Sequence, residues 1–505
     1  MVMPEGLALR RMALVAVGCG LAVFVGKRIP EQPILMLLLL GGLGYLISLA
    51  VNVRWLAWLV LATVPSAIIV PGLPGRPFAW EACTAALWIS LPAYLAINQQ
   101  RGATVPLGRD EKRMIACLGV FLVVLVLLML TRGVGFRAFG GEQMGGRFYA
   151  QQLVLVLLPV TYVLLPWRER FLLSTFLAGA ALSVTYLVSD LALIRGGRLA
   201  DFILFFLELP TDAINFYFGF EMSGLRRLQS LAAVGSSLFA VVLVVFPLGR
   251  LLHWRGLWLW PLPVGALGLG LASGHRTVLV QLAVICALLF VFKRLYTPLR
   301  LLSLAATGIA GLVGLYVLAP KLPPGVQRSL SMLPGIEVTQ VVREDAYATL
   351  RDRIEVLKLG IKDVPLYLWH GRGFGMSRLD AAPPSLPGDP IYMAYQEGFF
   401  YNGLFALLLK TGLPGLAAAL GFVYYVSRRG LASLRHVGPA EDDLFVRLSQ
   451  FAVAKWFAVV GFFFFLHGDA GGFLQQTAIA AALVLGCAQV LERRAARAAP
   501  DGATP

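Results

Sequence analysis

Apolar residues in this chain come in long runs broken by short polar or basic stretches. Crossing ~30 Å of hydrocarbon takes about 20 apolar residues in a helix, whose backbone satisfies its own hydrogen bonds. Runs of this kind, bounded by charge, Pro or Gly, lie near residues 12–26, 33–51, 55–73, 79–97, 114–131, 151–166, 171–193, 228–248, 257–274, 277–292, 301–319, 400–426, 450–466 and 473–491. The pattern predicts an all-α polytopic membrane protein with about 14 transmembrane helices, forming a single membrane domain over residues 1–505. Arg10 and Arg11 precede the first run, and no small-residue cleavage site comes before Lys27, so this run reads as a retained span.

Composition agrees: 58% of residues are hydrophobic, 14% are charged and the mean hydropathy is +0.77, which excludes a water-soluble fold. The net charge of +16 raises the question of nucleic acid. The basic residues, however, sit as short clusters between apolar runs, where the orienting charges of a membrane protein belong, and no nucleic-acid partner is expected. The five cysteines (Cys19, Cys83, Cys117, Cys286 and Cys487) fall inside apolar runs with no metal-ligand spacing, so neither a disulfide framework nor a metal site is read.

Orientation follows from the same clusters. Arg101/Arg109/Lys112/Arg113, Arg168/Arg170, Arg250/Arg255, Lys293/Arg294/Arg300, Arg428/Arg429/Arg435 and Arg493/Arg494/Arg497 all fall on one side under this span list. That side is the cytoplasm of a bacterial inner membrane, with both termini and the tail 492–505 on it. Segments 132–150, 194–227, 320–399 and 467–472 then face the periplasm. Segment 194–227 mixes aromatic, apolar and basic residues as an interfacial strip does. The large loop 320–399 has Leu350, Ile354, Leu357 and Ile361 at helical spacing, which predicts an amphipathic helix over 346–362 with that stripe turned toward the bundle.

Three outer motifs could carry chemistry. The first is Ser273-Gly-His-Arg276, at the mouth of two spans. The second is Arg351-Asp-Arg353, followed by Asp363-Val-Pro365 and His370-Gly-Arg-Gly-Phe-Gly375. The third runs from Glu397 through Tyr401-Asn402 to Lys410, and its helix is interrupted at Gly412-Leu-Pro-Gly415. In this order and on a common side, the motifs resemble those of the O-antigen ligase and polysaccharide polymerase superfamily of bacterial inner-membrane glycosyltransferases. The resemblance spans about residues 228–430. One position departs from the family pattern: Tyr401 stands where ligases of the superfamily carry a His.

The resemblance implies transfer of a saccharide from an undecaprenyl-diphosphate-linked donor to a lipid-linked saccharide or lipid A core acceptor, with inversion and without a metal or other cofactor. A departing diphosphate needs cations at the headgroup plane, and the planar fork of Arg binds phosphate bidentately. Arg276, Arg351, Arg353, Arg372 and Arg147 are the candidates for diphosphate binding. Glu397, Tyr401 and His370 are candidates for taking the acceptor proton, while Ser273, His275, Gly371, Gly373, Gly375 and Asn402 shape the site. The alternative is a lipid-linked oligosaccharide flippase or polysaccharide transporter. That class tends to place ionisable residues at mid-membrane and to show two related halves.

Overall fold

A computed structural model describes residues 53–71, 76–99, 107–133, 146–208, 229–251, 253–331, 335–374, 391, 394–395, 398–437, 442–466, 468 and 470–498. About 82% of the described residues are helical, and none of them forms a strand. Its main helices are α1 (Val53–Thr63), α2 (Ala79–Gln99), α3 (Arg109–Arg132), α4 (Gly146–Leu164), α5 (Glu169–Leu182), α6 (Val184–Arg195), α7 (Arg198–Phe206) and α8 (Gln229–Val245). They continue as α9 (Pro261–Ala272), α10 (Arg276–Phe292), α11 (Pro298–Leu318), α12 (Pro324–Leu330), α13 (Gln340–Ile361), α14 (Gly403–Leu434), α15 (Leu444–Phe465) and α16 (Phe473–Ala498).

Local chemistry explains several boundaries. Pro occupies the first position of α9 and α11, where its missing N–H costs nothing. Asp443 caps α15 by accepting from Val446 N at 2.8 Å, and Glu111 reaches back to Gly108 N at 2.6 Å at the start of α3. Among the described residues, five helical stretches are long and apolar enough to cross a membrane: α3, α5 with α6, α14, α15 and α16. The core lies where α14, α15 and α16 meet α3 and α4, and it is filled by Phe121, Phe422, Trp456, Phe463 and Phe473.

The first two expected spans lie outside the described residues. The other 12 each overlap a helix, several of them shorter than predicted. The run at 55–73 is helical only to Thr63. Pro65 follows, and the chain then turns so that Ile69 pairs with Phe78 and Ile68 with Leu207. The run at 257–274 is split between a 3-10 helix at Trp254–Leu259 and the α-helix Pro261–Ala272.

Ion pairs gather the basic clusters at one end of the bundle. Arg428 meets Asp110 at 3.1 Å, and Arg429 meets Glu111 at 2.9 Å and Glu492 at 2.5 Å. Arg494 pairs with Glu169 and, at 2.6 Å, with Asp443, while Lys293 pairs with Asp442 at 2.7 Å. From this basic end α3 runs to Arg132 at the opposite end, where the three motifs lie.

The large loop does form the amphipathic helix, longer at its N-terminus than the sequence pattern indicates. Its orientation corrects the expectation. Leu350, Ile354 and Ile361 are 56%, 45% and 54% exposed, and the buried positions are Val342, Val356 and Gly360. The apolar stripe therefore points away from the bundle. The inward face carries Asp345, which binds arginines, and Gly360, which admits the rings of Phe400 and Phe405.

Candidate functional site

The site is built around a broken helix. Gly412 has φ +69°, inside a stretch that is otherwise helical, and Pro414 cannot donate. A continuous helix would have supplied the N–H groups of residues 413 and 414 to the carbonyls of Leu409 and Lys410. Those buried carbonyls need other donors. The glycine turn provides them: Arg372 N donates to Leu409 O at 2.8 Å and Gly373 N to Lys410 O at 2.9 Å. In return Leu413 N donates to Leu368 O at 2.7 Å. Turn and break thus complete each other's backbone hydrogen bonds.

Glycine is required at this seam. Gly371 has φ +69°, and a Cβ there would come within 2.5 Å of Lys410 O and 2.8 Å of Thr411 C, both backbone atoms. Gly371→Ala is expected to cost at least about 1–3 kcal/mol through backbone strain alone. A clearly lowered unfolding temperature in detergent would register this.

The seam fixes Arg372. Its side chain is buried, lies over the Tyr395 ring at 5.2 Å and reaches Asp363 at 4.0 Å. Tyr395 donates its hydroxyl to Asp363 at 2.5 Å. Burial, then this hydrogen bond, push the Tyr395 phenol up to about 12, so it remains a donor at neutral pH. Beside it, Tyr149 on α4 accepts from Phe374 N at 3.1 Å, Arg132 covers the Tyr367 ring at 5.5 Å and buried Lys410 faces the Phe374 ring at 5.4 Å.

The Ser273-Gly-His-Arg276 motif forms the turn between α9 and α10. Gly274 has φ +76°, and Ser273 Oγ donates to Gly270 O at 2.5 Å and accepts from His275 N at 3.1 Å. Gly274 O in turn receives Arg328 Nη1 at 3.0 Å. Arg276 Nε donates to Arg328 O at 3.2 Å, and both guanidinium groups address Asp345: Arg328 at 2.6 Å and Arg276 at 3.9 Å. The motif is thereby tied to the first turns of α13.

Further along α13, Arg353 lies over the Tyr401 ring at 4.8 Å, while the Arg351 side chain is 75% exposed. Asp345 and Arg353 are eight residues apart, or ~12 Å along the axis at 1.5 Å per residue. Tyr401 has φ +53°, an unusual conformation for a bulky residue, and its ring stacks near Phe399. Asn402 caps α14 through Phe405 N at 3.0 Å. His370 is exposed beside Tyr367. Glu397, Gly375 and the Arg147 side chain lie outside the described residues.

At both ends of the bundle cations meet carboxylates and aromatic rings. Arg428, Arg429 and Arg494 at the basic end are matched by carboxylates. At the opposite end Arg132, Arg353, Arg372 and Lys410 lie against aromatic faces. Arg372 also reaches Asp363 at 4.0 Å, and Arg276 and Arg328 share Asp345.

Sequence reasoning placed no role on Arg328, Asp345, Asp363, Tyr395, Arg132 or Tyr149. For Asp363 a signal existed, since it precedes the glycine turn by a few residues in a motif already noted. Arg328 and Asp345 are a basic and an acidic residue of the large loop, joined to Arg276 only by tertiary contacts across some 50 residues or more. No protein-family model matches this chain, and no curated protein matches it either.

Proposed function

We propose that this protein is a glycosyltransferase of the outer membrane face, moving saccharide units from an undecaprenyl-diphosphate carrier onto a second saccharide. It has the character of a polysaccharide polymerase or O-antigen ligase in the bacterial inner membrane. The observation that carries the reading is the set of outer cations held on aromatic faces around α13 and the broken α14, where a diphosphate would find charge that is fixed in place.

In this mechanism the acceptor hydroxyl oxygen attacks the anomeric carbon, and the bond from that carbon to the diphosphate oxygen breaks with its electron pair leaving on the diphosphate. Arg372, Arg353 and Arg276 take up the developing charge. The hydroxyl proton passes to a carboxylate, and Asp363 is the one beside Arg372. His370, exposed at the rim, is the alternative acceptor, and Tyr401 positions Arg353 instead of exchanging protons. Arg328 and Asp345 orient Arg276.

The test is to incubate purified protein with lipid-diphosphate-linked repeat units, with and without lipid A core. Longer chains in the absence of core identify a polymerase, and product only with core identifies a ligase. No product with either would reject the reading. Arg276→Ala is expected to lower the rate by about 10- to 100-fold, the loss of one hydrogen bond to a charged group worth ~1.5–3 kcal/mol. An unchanged rate would remove Arg276 from the site.

A further inference from the structure

At the basic end, between the start of α5 and the last turns of α16, lies a cavity of about 640 Å³. Among the described residues six arginines line it, Arg54, Arg168, Arg170, Arg493, Arg494 and Arg497, with Glu169 the single acid. Glu169 is committed to Arg494, which also holds Asp443. Arg493 is fixed by neutral oxygens: its Nη2 reaches Trp167 O at 2.5 Å and Gln489 Oε1 at 2.9 Å, and its Nε reaches Gln489 O at 3.2 Å. These bonds aim the guanidinium without balancing its charge. Arg168 and Arg170 are exposed at the mouth.

A second recess of about 270 Å³ shares Arg54, Pro166, Trp167 and Arg168 with the first, and adds Trp55 and Phe171. The Trp55 and Phe171 rings meet edge to face at 5.7 Å, and Trp55 is half-exposed. A basic cavity thus opens beside an aromatic wall. The helices whose ends form it include α16 and the continuous α5–α6 stretch, both long enough to cross the membrane, so it lies at a headgroup plane. Indole rings at helix ends favour that depth.

We propose that this cavity binds an anionic phospholipid, its headgroup phosphate held by Arg168, Arg170 and Arg493 and an acyl chain laid along Trp55 and Phe171. A phosphate bound there offsets the repulsion among clustered guanidinium groups and accepts their forked hydrogen bonds. The aromatic recess is what a free phosphate would not use. The site lies at the end of α3 remote from the candidate glycosyl-transfer site and does not depend on that function.

The test is native mass spectrometry of the full chain, released from detergent, with added phosphatidylglycerol, cardiolipin, phosphatidylcholine or inorganic diphosphate. Anionic lipids are expected to be retained at least tenfold more than phosphatidylcholine, with retention falling as ionic strength rises. The double substitution Arg168→Ala/Arg170→Ala, at exposed positions that leave the packing intact, is expected to reduce retention at least tenfold. Trp55→Ala is expected to weaken lipid binding without affecting any weak binding of diphosphate. Equal retention of phosphatidylcholine, no loss in the double variant, or displacement of the lipid by equimolar inorganic diphosphate would each overturn the proposal. Thermal unfolding of each variant checks that it is folded.

Discussion

Arg372→Ala is expected to lower saccharide transfer by about 10²–10³-fold, the scale of removing one preorganised charge-stabilising donor. The effect exceeds that at Arg276 because Arg372 is buried, where the effective dielectric is lower and each contact with a developing charge is worth more. Arg372→Lys should recover little of the activity, since an ammonium replaces the planar fork by a point charge and loses its bed on Tyr395. The fold should survive both changes. The two backbone bonds that lock the glycine turn into the break of α14 come from Arg372 N and Gly373 N, not from the side chain. A variant with a wild-type unfolding temperature and wild-type activity would contradict the assignment.

Asp363→Asn carries the second large effect, about 10²–10⁴-fold, the range for a positioned proton acceptor. The amide can still accept from Tyr395, so the geometry is largely preserved while the proton acceptor is lost. His370→Ala is the paired control. If it were the more damaging of the two, the proton would pass to the rim histidine and Asp363 would only orient Arg372.

The sequence made the membrane character and most helix positions legible because a bilayer demands long apolar runs, and Pro, Gly and charge mark where they stop. It also located the break at Gly412-Leu-Pro-Gly415 and the glycine turn that fills it, since both are written in conformationally special residues. What it could not give was pairing. The ties of Arg328 and Asp345 to Arg276, and of Arg353 to Tyr401, depend on how α13 lies across the end of the bundle.

The inward face of α13 is hidden from the sequence for a related reason. Helical spacing shows that α13 has an apolar stripe but not which neighbour that stripe meets. The inward face holds Val342 and Val356 together with Asp345 and Gly360. Arg351 and Arg353, equivalent by spacing alone, differ through the rotation of that helix: Arg353 lies over Tyr401, and Arg351 is exposed.

The central claim is that cations at the end of the bundle opposite the basic clusters stabilise a departing polyprenyl diphosphate. Its most direct test is a time course in proteoliposomes containing undecaprenyl-diphosphate-linked saccharide, following glycosidic bonds formed and undecaprenyl diphosphate released in the same samples. The account predicts that the two appear in equal amounts, and that both vanish together in Arg372→Ala. Movement of intact lipid-linked saccharide across the bilayer, with neither a new glycosidic bond nor free undecaprenyl diphosphate, would contradict it and make the protein a carrier.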